Sequence, residues 1–192
     1  MRVFGIDPGS LRTGYGCIDS DGRRHRLVTC GAIRPAPRTE LPARLHHIHQ
    51  ELSRLIRANR PDCVAIENLF HAKNVRSALV LGHARGVALL AAVDAGIPVA
   101  EYTPAEIKSS IAGYGRAGKA QMGHMVKLLL GLELPPKPHD AADALAIAMC
   151  HVHASGRLGG LAAAAARGPR GLRSWRHVTV DQLTQLSRRR LS

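Results

Sequence analysis

The chain has 192 residues, of which 45% are hydrophobic and 3% aromatic, and its formal net charge is +13. This length and composition suit one domain with a full hydrophobic core. So few aromatic residues argue against an RNA binder that stacks bases on an aromatic platform. The charge favours a polyanionic partner, most often nucleic acid, over a surface charged only for solubility.

The N-terminal segment and the cysteines indicate the compartment. The first apolar run contains Asp7 and lacks a small-residue cleavage site, which argues against a secretory signal. No run of 18 apolar residues occurs, so we expect neither a membrane span nor a membrane partner. Cys17, Cys30, Cys63 and Cys150 have no paired spacing, so we expect buried thiols in a reducing cytoplasm.

Three strands are predicted first along the chain. Met1–Asp7 is a short apolar strand, Thr13–Ser20 is a glycine-rich one, and Arg23–Ile33 is a third. Asp21-Gly22 between the second and third strands is a hairpin signal. Short connections of this kind predict an antiparallel meander.

Helices and strands then alternate along the chain. The remaining predicted elements are the helix 41–59, the strand Asp62–Glu67, the helix Val75–Ala95, the strand Ile97–Tyr102, a helix that starts at Thr103-Pro104, the helix Gln121–Leu130 and the helix Asp140–His153. A meander followed by such units predicts an α/β fold, in which helices flank a mixed five-stranded sheet with antiparallel and parallel strands.

We expect a folded domain over residues 1–154 and a basic, poorly ordered tail over 155–192. Eight arginines and one acid lie beyond residue 156, which gives that segment a net charge of +7 and leaves +6 for the rest. An alanine run and a Gly-Pro step accompany the arginines. Because both parts are basic, the tail alone does not account for the charge.

Four acids could form a metal site. Asp140 and Asp143 are three residues apart, so they share one face of the last helix. Asp7 and Glu67 each end a strand, and neighbouring parallel strands would bring both to the sheet edge where such sheets bind ligands. Four carboxylates suit Mg²⁺, and two ions would support phosphodiester hydrolysis. Taken singly, Asp7 could cap a turn, Glu67 could be a loop acid, and Asp140 could complement the helix dipole.

Several motifs resemble the RuvC family of bacterial Holliday-junction resolvases. They run in unbroken order from Met1 to about His153. The matching segments are Gly5-Ile6-Asp7-Pro8-Gly9-Ser10, Thr13-Gly14-Tyr15-Gly16, Ala65-Ile66-Glu67-Asn68-Leu69-Phe70, Ala72-Lys73-Asn74, Leu81-Gly82-His83-Ala84-Arg85-Gly86-Val87-Ala88 and Asp140-Ala141-Ala142-Asp143-Ala144-Leu145-Ala146.

The resemblance implies an RNase H-like fold and a homodimeric endonuclease acting in recombination and DNA repair. Such an enzyme nicks two opposing strands of a four-way DNA junction with Mg²⁺ or Mn²⁺ and leaves 5′-phosphate and 3′-hydroxyl ends. Asp7, Glu67, Asp140 and Asp143 correspond to the family's catalytic, metal-binding acids. The family also implies the branch-migration proteins RuvA and RuvB as partners.

Other residues are candidates for contacts with DNA or for assisting the reaction. The resemblance places Phe70 against bases at the crossover, although it could instead pack on the core. Lys108 and Lys119 match lysines near the scissile phosphate. His139 could assist the leaving group or be an ordinary residue at a helix start. Further candidates for phosphate contacts are Lys73, Arg76 and Arg116, for which a solvated surface charge is an equal alternative.

Two glycines in the predicted helix Val75–Ala95 have two possible roles. The Gly82-x3-Gly86 spacing permits close helix packing, and we favour packing on the sheet slightly over a dimer interface.

A sugar-kinase-type ATPase has a similar N-terminal signature but needs two domains, which 192 residues do not accommodate. A non-catalytic junction-binding protein is the other alternative, and the intact set of acids argues against it.

Overall fold

The computed structural model describes residues 1–68 and 74–162, with side chains described through residue 156. Its strands are β1 Arg2–Asp7, β2 Thr13–Ser20, β3 His25–Ile33, β4 Cys63–Glu67 and β5 Val99–Tyr102. Its helices are α1 Leu41–Asn59, α2 Val75–Asp94, α3 Pro104–Ala112, α4 Lys119–Leu129 and α5 His139–Ala162.

The five strands form one mixed sheet in the order β3-β2-β1-β4-β5. β1 and β3 both pair antiparallel with β2, and β1 pairs parallel with β4, which pairs parallel with β5. The hairpin turns at Gly22, whose φ of 94° favours glycine. The meander and the parallel strands predicted from the sequence are therefore confirmed.

Helices cover both faces of this sheet. Along β1, the alternation of side chains turns Phe4 and Ile6 toward α1 and α2, whereas Val3 contributes to the core beneath α3, α4 and α5. Leu145 of α5 belongs to the same core as Val3. The sheet thus separates two cores, and α5 lies on the face away from α1.

The last helix is longer than the sequence predicts. It begins at His139, continues past the expected end at His153, and ends at Ala162. Within the added length, the Ser155 hydroxyl donates a 2.8 Å hydrogen bond to the carbonyl of His151, four residues back, as serine commonly does inside a helix. The helix continues through Gly156, Gly159 and Gly160, although glycine disfavours a helix interior, which is why the sequence pattern predicts an earlier end.

The expectation that Gly82 and Gly86 pack on the sheet is wrong. Both glycines of α2 are exposed, and a Cβ atom added to either would meet no atom within 4 Å. The helix instead faces inward through four buried alanines, namely Ala84, Ala88, Ala91 and Ala92. Small residues on the inner face permit close packing on the fold, so the two glycines serve a different surface.

An apolar stripe follows the opposite side of α2. We call it the α2 outer face, and its residues are Val75, Leu79, Gly82, Gly86, Leu90 and Val93. Among the described helices, α2 is also the one whose length and composition would allow it to cross a membrane. Its Arg85 makes an ion pair with Glu101 of β5, which ties its inner face to the sheet. The outer face is an exposed apolar surface that a protein contact could cover.

Candidate active site

Two acids meet at the carboxyl edge of the sheet. β1 and β4 are parallel neighbours, and their register pairs Ile6 with Ile66. Asp7 and Glu67 follow these paired residues as the last residues of the two strands. The predicted juxtaposition of the two acids is therefore confirmed at the level of strand register.

Glycines in β1 and β2 let α5 lie directly on the strands. A Cβ atom at Gly5 would lie 2.0 Å from the carbonyl oxygen of Ala144, and one at Gly14 would lie 2.0 Å from that of Asp140. Neither position could hold a side chain without moving the helix. This close approach places the first turns of α5, and with them Asp140 and Asp143, over the strand edge.

A cavity of about 250 Å³ connects the acids with two lysines. Asp7, Glu67 and Asp143 line it together with Lys108 of α3 and Lys119 of α4. Asp140 is not among the residues that line it. The Nζ atom of Lys119 lies 3.0 Å from Oδ2 of Asp143, although 61% of the lysine side chain is exposed.

Burial and neighbouring charges change the acidity of this group. Burial raises the pKa of Asp7 to about 8, and the negative charges of Glu67, Asp143 and Asp140 add to the effect. Burial and Asp143 also raise the pKa of Glu67, against the opposing charges of Lys108 and Lys119. The hydrogen bond from Lys119 to Asp143 raises the pKa of the lysine. At Asp7 and Glu67, burial and repulsion among the acids therefore outweigh the effect of the nearby lysines.

The β1–β2 loop adds a cation that the sequence analysis did not identify. Nη1 of Arg12 lies 3.9 Å from Oδ2 of Asp140. The resemblance skips this position, since the matching motifs end at Ser10 and resume at Thr13. No local pattern distinguishes Arg12 from a surface arginine, and only the packing of the loop on α5 shows its position.

The acids are near one another but do not form a closed ligand set. Within residues 1–68 and 74–162, no three His, Cys, Asp or Glu side chains converge closely enough to hold a metal ion as they stand. Asp143 instead contacts Lys119, and Asp140 faces Arg12. Both contacts involve largely exposed cations, and exposed ion pairs of this kind are worth only about 0–1 kcal/mol.

The remaining predicted residues lie around this edge or outside the described ranges. Arg76 is exposed in the first turn of α2 and borders a cavity with Ser10 of the β1–β2 loop. Arg116 is exposed between α3 and α4, and His139 is exposed as the first residue of α5. Phe70 and Lys73 lie outside the described residues, as do the arginines of the tail beyond residue 162.

A larger groove, of about 770 Å³, lies away from these acids. It is at the other end of β1 and β2 and is lined in part by Arg2, Asp19 and Arg26. Arg2 and Arg26 lie 2.7 and 2.6 Å from the carboxylate oxygens of Asp19. Asp21 and Asp62 also line the groove, but Arg24 and Arg60 do so too, so its arginines outnumber its acids. The acids of the strand edge are therefore the better candidates for a metal site.

Comparison with known proteins shows the family. The family model for "Crossover junction endodeoxyribonuclease RuvC" matches residues 3–151. The chain belongs to the RuvC family. The protein of that name from Desulforamulus reducens is 49% identical to it over 160 residues, which are 83% of this chain and 98% of the relative.

Solved RuvC structures agree with the fold. The structure of Thermus thermophilus RuvC matches with a TM-score of 0.75 and 36% identity, and covers 83% of this chain and 97% of that one. T. thermophilus RuvC in complex with a Holliday junction substrate matches with a TM-score of 0.75 and 34% identity over the same shares. The RNase H-like fold expected from the sequence is confirmed.

Proposed function

We propose that this chain is a crossover junction endodeoxyribonuclease that resolves four-way DNA junctions in recombination and repair. The observation that supports this most strongly is the group of Asp7, Glu67 and Asp143 around one cavity with two lysines, in a chain of the RuvC family. In the reaction, water attacks a phosphorus atom and the 3′ oxygen leaves with a proton. The products are a 5′-phosphate and a 3′-hydroxyl.

Membership of the RuvC family implies dependence on a divalent metal, and the residues present suit one. Carboxylate oxygens are the ligands that Mg²⁺ and Mn²⁺ prefer. Burial raises the pKa of Asp7, and repulsion from the neighbouring acids adds to it; a bound cation would relieve that repulsion. We assign Asp7, Glu67, Asp140 and Asp143 to hold two such ions. When bound, the ions supply the Lewis-acid chemistry of phosphodiester hydrolysis.

The lysines bind the phosphate of the cleaved strand. Lys108 is carried by α3, whose start is fixed because Thr103 and Glu106 form a reciprocal capping box. Lys119 begins α4 and contacts Asp143. Their ammonium groups face the cavity of the acids, where a phosphate would compete for them and its negative charge would be offset.

The surrounding residues hold the rest of the junction. Arg76 and Arg116 are exposed beside the site and contact backbone phosphates, as does Lys73. Phe70 stacks on bases at the crossover, and His139 assists the leaving group from the start of α5. Lys73 and Phe70 lie outside the described residues, so their roles rest on the resemblance alone.

Two copies of the chain act together through the α2 outer face. A four-way junction has two-fold symmetry, and paired nicks in opposing strands call for two active sites related by the same axis. Val75 and Leu79 are 77% and 61% exposed, and Leu90 is 51% exposed. The exposed glycines between them would allow two helices to approach closely. A second copy therefore covers this apolar stripe.

The cellular setting is a further part of the proposal. The enzyme acts in the cytoplasm, where the bacterial chromosome lies, with RuvA and RuvB as partners that deliver the junction. The arginines after residue 156 offer either additional DNA affinity or a contact with those partners.

Cleavage of a synthetic four-way junction with labelled strands tests the proposal. We expect nicks at symmetric positions in two opposing strands with Mg²⁺ or Mn²⁺, and none in a linear duplex of the same sequence. The nicks should be sealed by DNA ligase, because the ends are a 5′-phosphate and a 3′-hydroxyl. Binding of the junction without cutting would identify a non-catalytic junction-binding protein instead.

A further inference from the structure

The β1–β2 loop, residues 8–12, is held closed by its own contacts. Oγ1 of Thr13 donates a 2.8 Å hydrogen bond to the Gly9 carbonyl and accepts a 3.4 Å bond from the Gly9 amide. A Cβ atom at Gly9 would lie 2.2 Å from the Arg12 carbonyl oxygen, so the two arms of the loop touch. Because Thr13 is fully buried, the backbone at Arg12 is fixed without any ligand.

Packing of β2 on α5 directs the arginine toward the acids. Gly14, two residues after Arg12, lies against the Asp140 carbonyl. The Arg12 guanidinium is 3.9 Å from the Asp140 carboxylate, which is the outer limit of an ion pair. Since 60% of its side chain is exposed, most of its hydrogen-bond donors face solvent.

Arg12 and Lys119 each lie beside one of the two acids of α5. Lys119 contacts Asp143 from α4, and Arg12 faces Asp140 from the β1–β2 loop. The two cations are exposed to almost the same extent, 61% and 60%. A DNA strand whose scissile phosphate lies at the acids would therefore pass a cation from each of two separate elements.

We propose that Arg12 forms a phosphate-binding site for the cleaved strand, next to the scissile phosphate. The proposal rests on the junction-cleaving function proposed above and adds a residue to it. A guanidinium binds phosphate through two parallel N–H donors, which a lysine cannot do. Its weak contact with Asp140 is given up easily, because such an exposed pair is worth only about 0–1 kcal/mol.

Junction binding without cleavage gives the first test. The affinity of wild type, Arg12→Ala and Arg12→Lys for the four-way junction is measured by fluorescence anisotropy in EDTA over a range of salt concentrations. We expect Arg12→Ala to bind about 5- to 20-fold more weakly at low salt and to lower the log–log salt slope by about 0.9, the value of one phosphate contact. Arg12→Lys should recover the slope and part of the affinity.

Arg54→Ala is the matched control. Arg54 is 63% exposed and lies 2.8 Å from Glu51 on α1, so this variant also loses one exposed ion pair and one positive charge. It should keep the affinity and the slope of wild type. An unchanged slope in Arg12→Ala, or an equal loss in Arg54→Ala, would overturn the phosphate site.

Removing the charge of single DNA phosphates shows which phosphate Arg12 contacts. Junctions carry a single uncharged methylphosphonate at one of the phosphates flanking the scissile one. At the phosphate that Arg12 binds, the modification should weaken binding by wild type but not by Arg12→Ala. Equal effects on both proteins at every flanking position would show that Arg12 contacts no phosphate there.

Single-turnover cleavage separates this inference from the function on which it rests. If wild type cuts the junction symmetrically and Arg12→Ala matches it in rate and in salt slope, only the role of Arg12 is wrong. If wild type does not cut the junction, the proposed function fails, and the role of Arg12 in holding a cleaved strand fails with it.

Discussion

At the scale of single residues, Asp7 departs furthest from the chemistry of a free carboxylic acid. Its pKa rises to about 8 from an ordinary value of 3.8 because it is buried among other acids. At neutral pH the metal-free protein therefore holds much of Asp7 in the protonated form. A divalent ion requires the carboxylate, so metal binding and proton loss at Asp7 are coupled.

This coupling predicts proton release on metal binding. At pH 7, binding of Mg²⁺ or Mn²⁺ should release up to about one proton, and apparent affinity should rise with pH until about 8. Calorimetric titrations in buffers of different ionisation enthalpy measure the release. In Asp7→Asn, metal binding should no longer release this proton. If the variant releases as many protons as wild type, the proton comes from another group.

Replacing Asp7 by a neutral residue should stabilise the metal-free protein. The pKa of Asp7 is higher in the folded chain than in the unfolded one, so its favourable contribution is complete below pH 3.8 and is lost as the pH rises through about 8. Without metal at pH 8, Asp7→Asn should be more stable by roughly 1–3 kcal/mol. Thermal melts with and without Mg²⁺ test this, and metal should raise the melting temperature of wild type more than that of the variant.

At the scale of elements, the packing of α5 on β1 and β2 positions the site. Gly5, Gly14 and Gly16 give the helix room, and any of them would clash with α5 if it carried a Cβ atom. A glycine inside a strand is a known sign of close backbone approach. The many glycines of β2 are thus a signal in the sequence itself that another backbone lies against this strand.

Gly14→Ala should therefore damage the site. The added methyl would lie 2.0 Å from the Asp140 carbonyl oxygen, which forces α5 away from β2 and costs about 1–3 kcal/mol or more. We expect a lower melting temperature and a cleavage rate reduced at least tenfold. Gly123→Ala in α4 is the control, because its methyl meets nothing within 4 Å and alanine favours the helix by about 1 kcal/mol. Equal behaviour of the two variants would contradict this packing argument.

The local sequence pattern predicted the strands and the acids at their ends. It did not predict positions that depend on how distant elements pack together. Asp7 and Glu67 were predicted to meet because parallel strands end at a common edge, and the register confirms it. Arg12 was missed, since its position near Asp140 depends on how a loop packs on a distant helix. The role of Gly82 and Gly86 was misassigned, because spacing alone does not show which face of α2 points outward.

At the scale of the whole molecule, the α2 outer face implies a partner. Its exposed apolar residues extend over five turns of the helix, whereas those elsewhere in the described chain, such as Leu128 and Leu134, are isolated in sequence. A continuous apolar stripe of this kind marks an interface more often than scattered exposed residues do. This stripe is the surface through which we propose that two copies of the chain pair.

A charge on this face should separate the proposed dimer. Leu79→Arg should shift the mass measured by light scattering from twice 20.6 kDa to 20.6 kDa, because it would place a charged guanidinium from each copy in an apolar contact. It should also abolish paired nicking while leaving the melting temperature of the monomer nearly unchanged. Leu128→Arg on α4, where the leucine is 56% exposed, should keep the wild-type mass. A dimer that survives Leu79→Arg would locate the interface elsewhere.

We expect the acids at the strand edge to carry out cleavage without being needed to hold the fold or the DNA. The most direct measurement compares binding and cleavage of one four-way junction by wild type, Asp7→Asn and Asp94→Asn, whose aspartate pairs with His49 on the surface. We predict that Asp7→Asn binds within about threefold of wild type and cuts at least a thousandfold more slowly with Mg²⁺, while Asp94→Asn does both normally. Cleavage by Asp7→Asn at a rate near that of wild type would contradict the account.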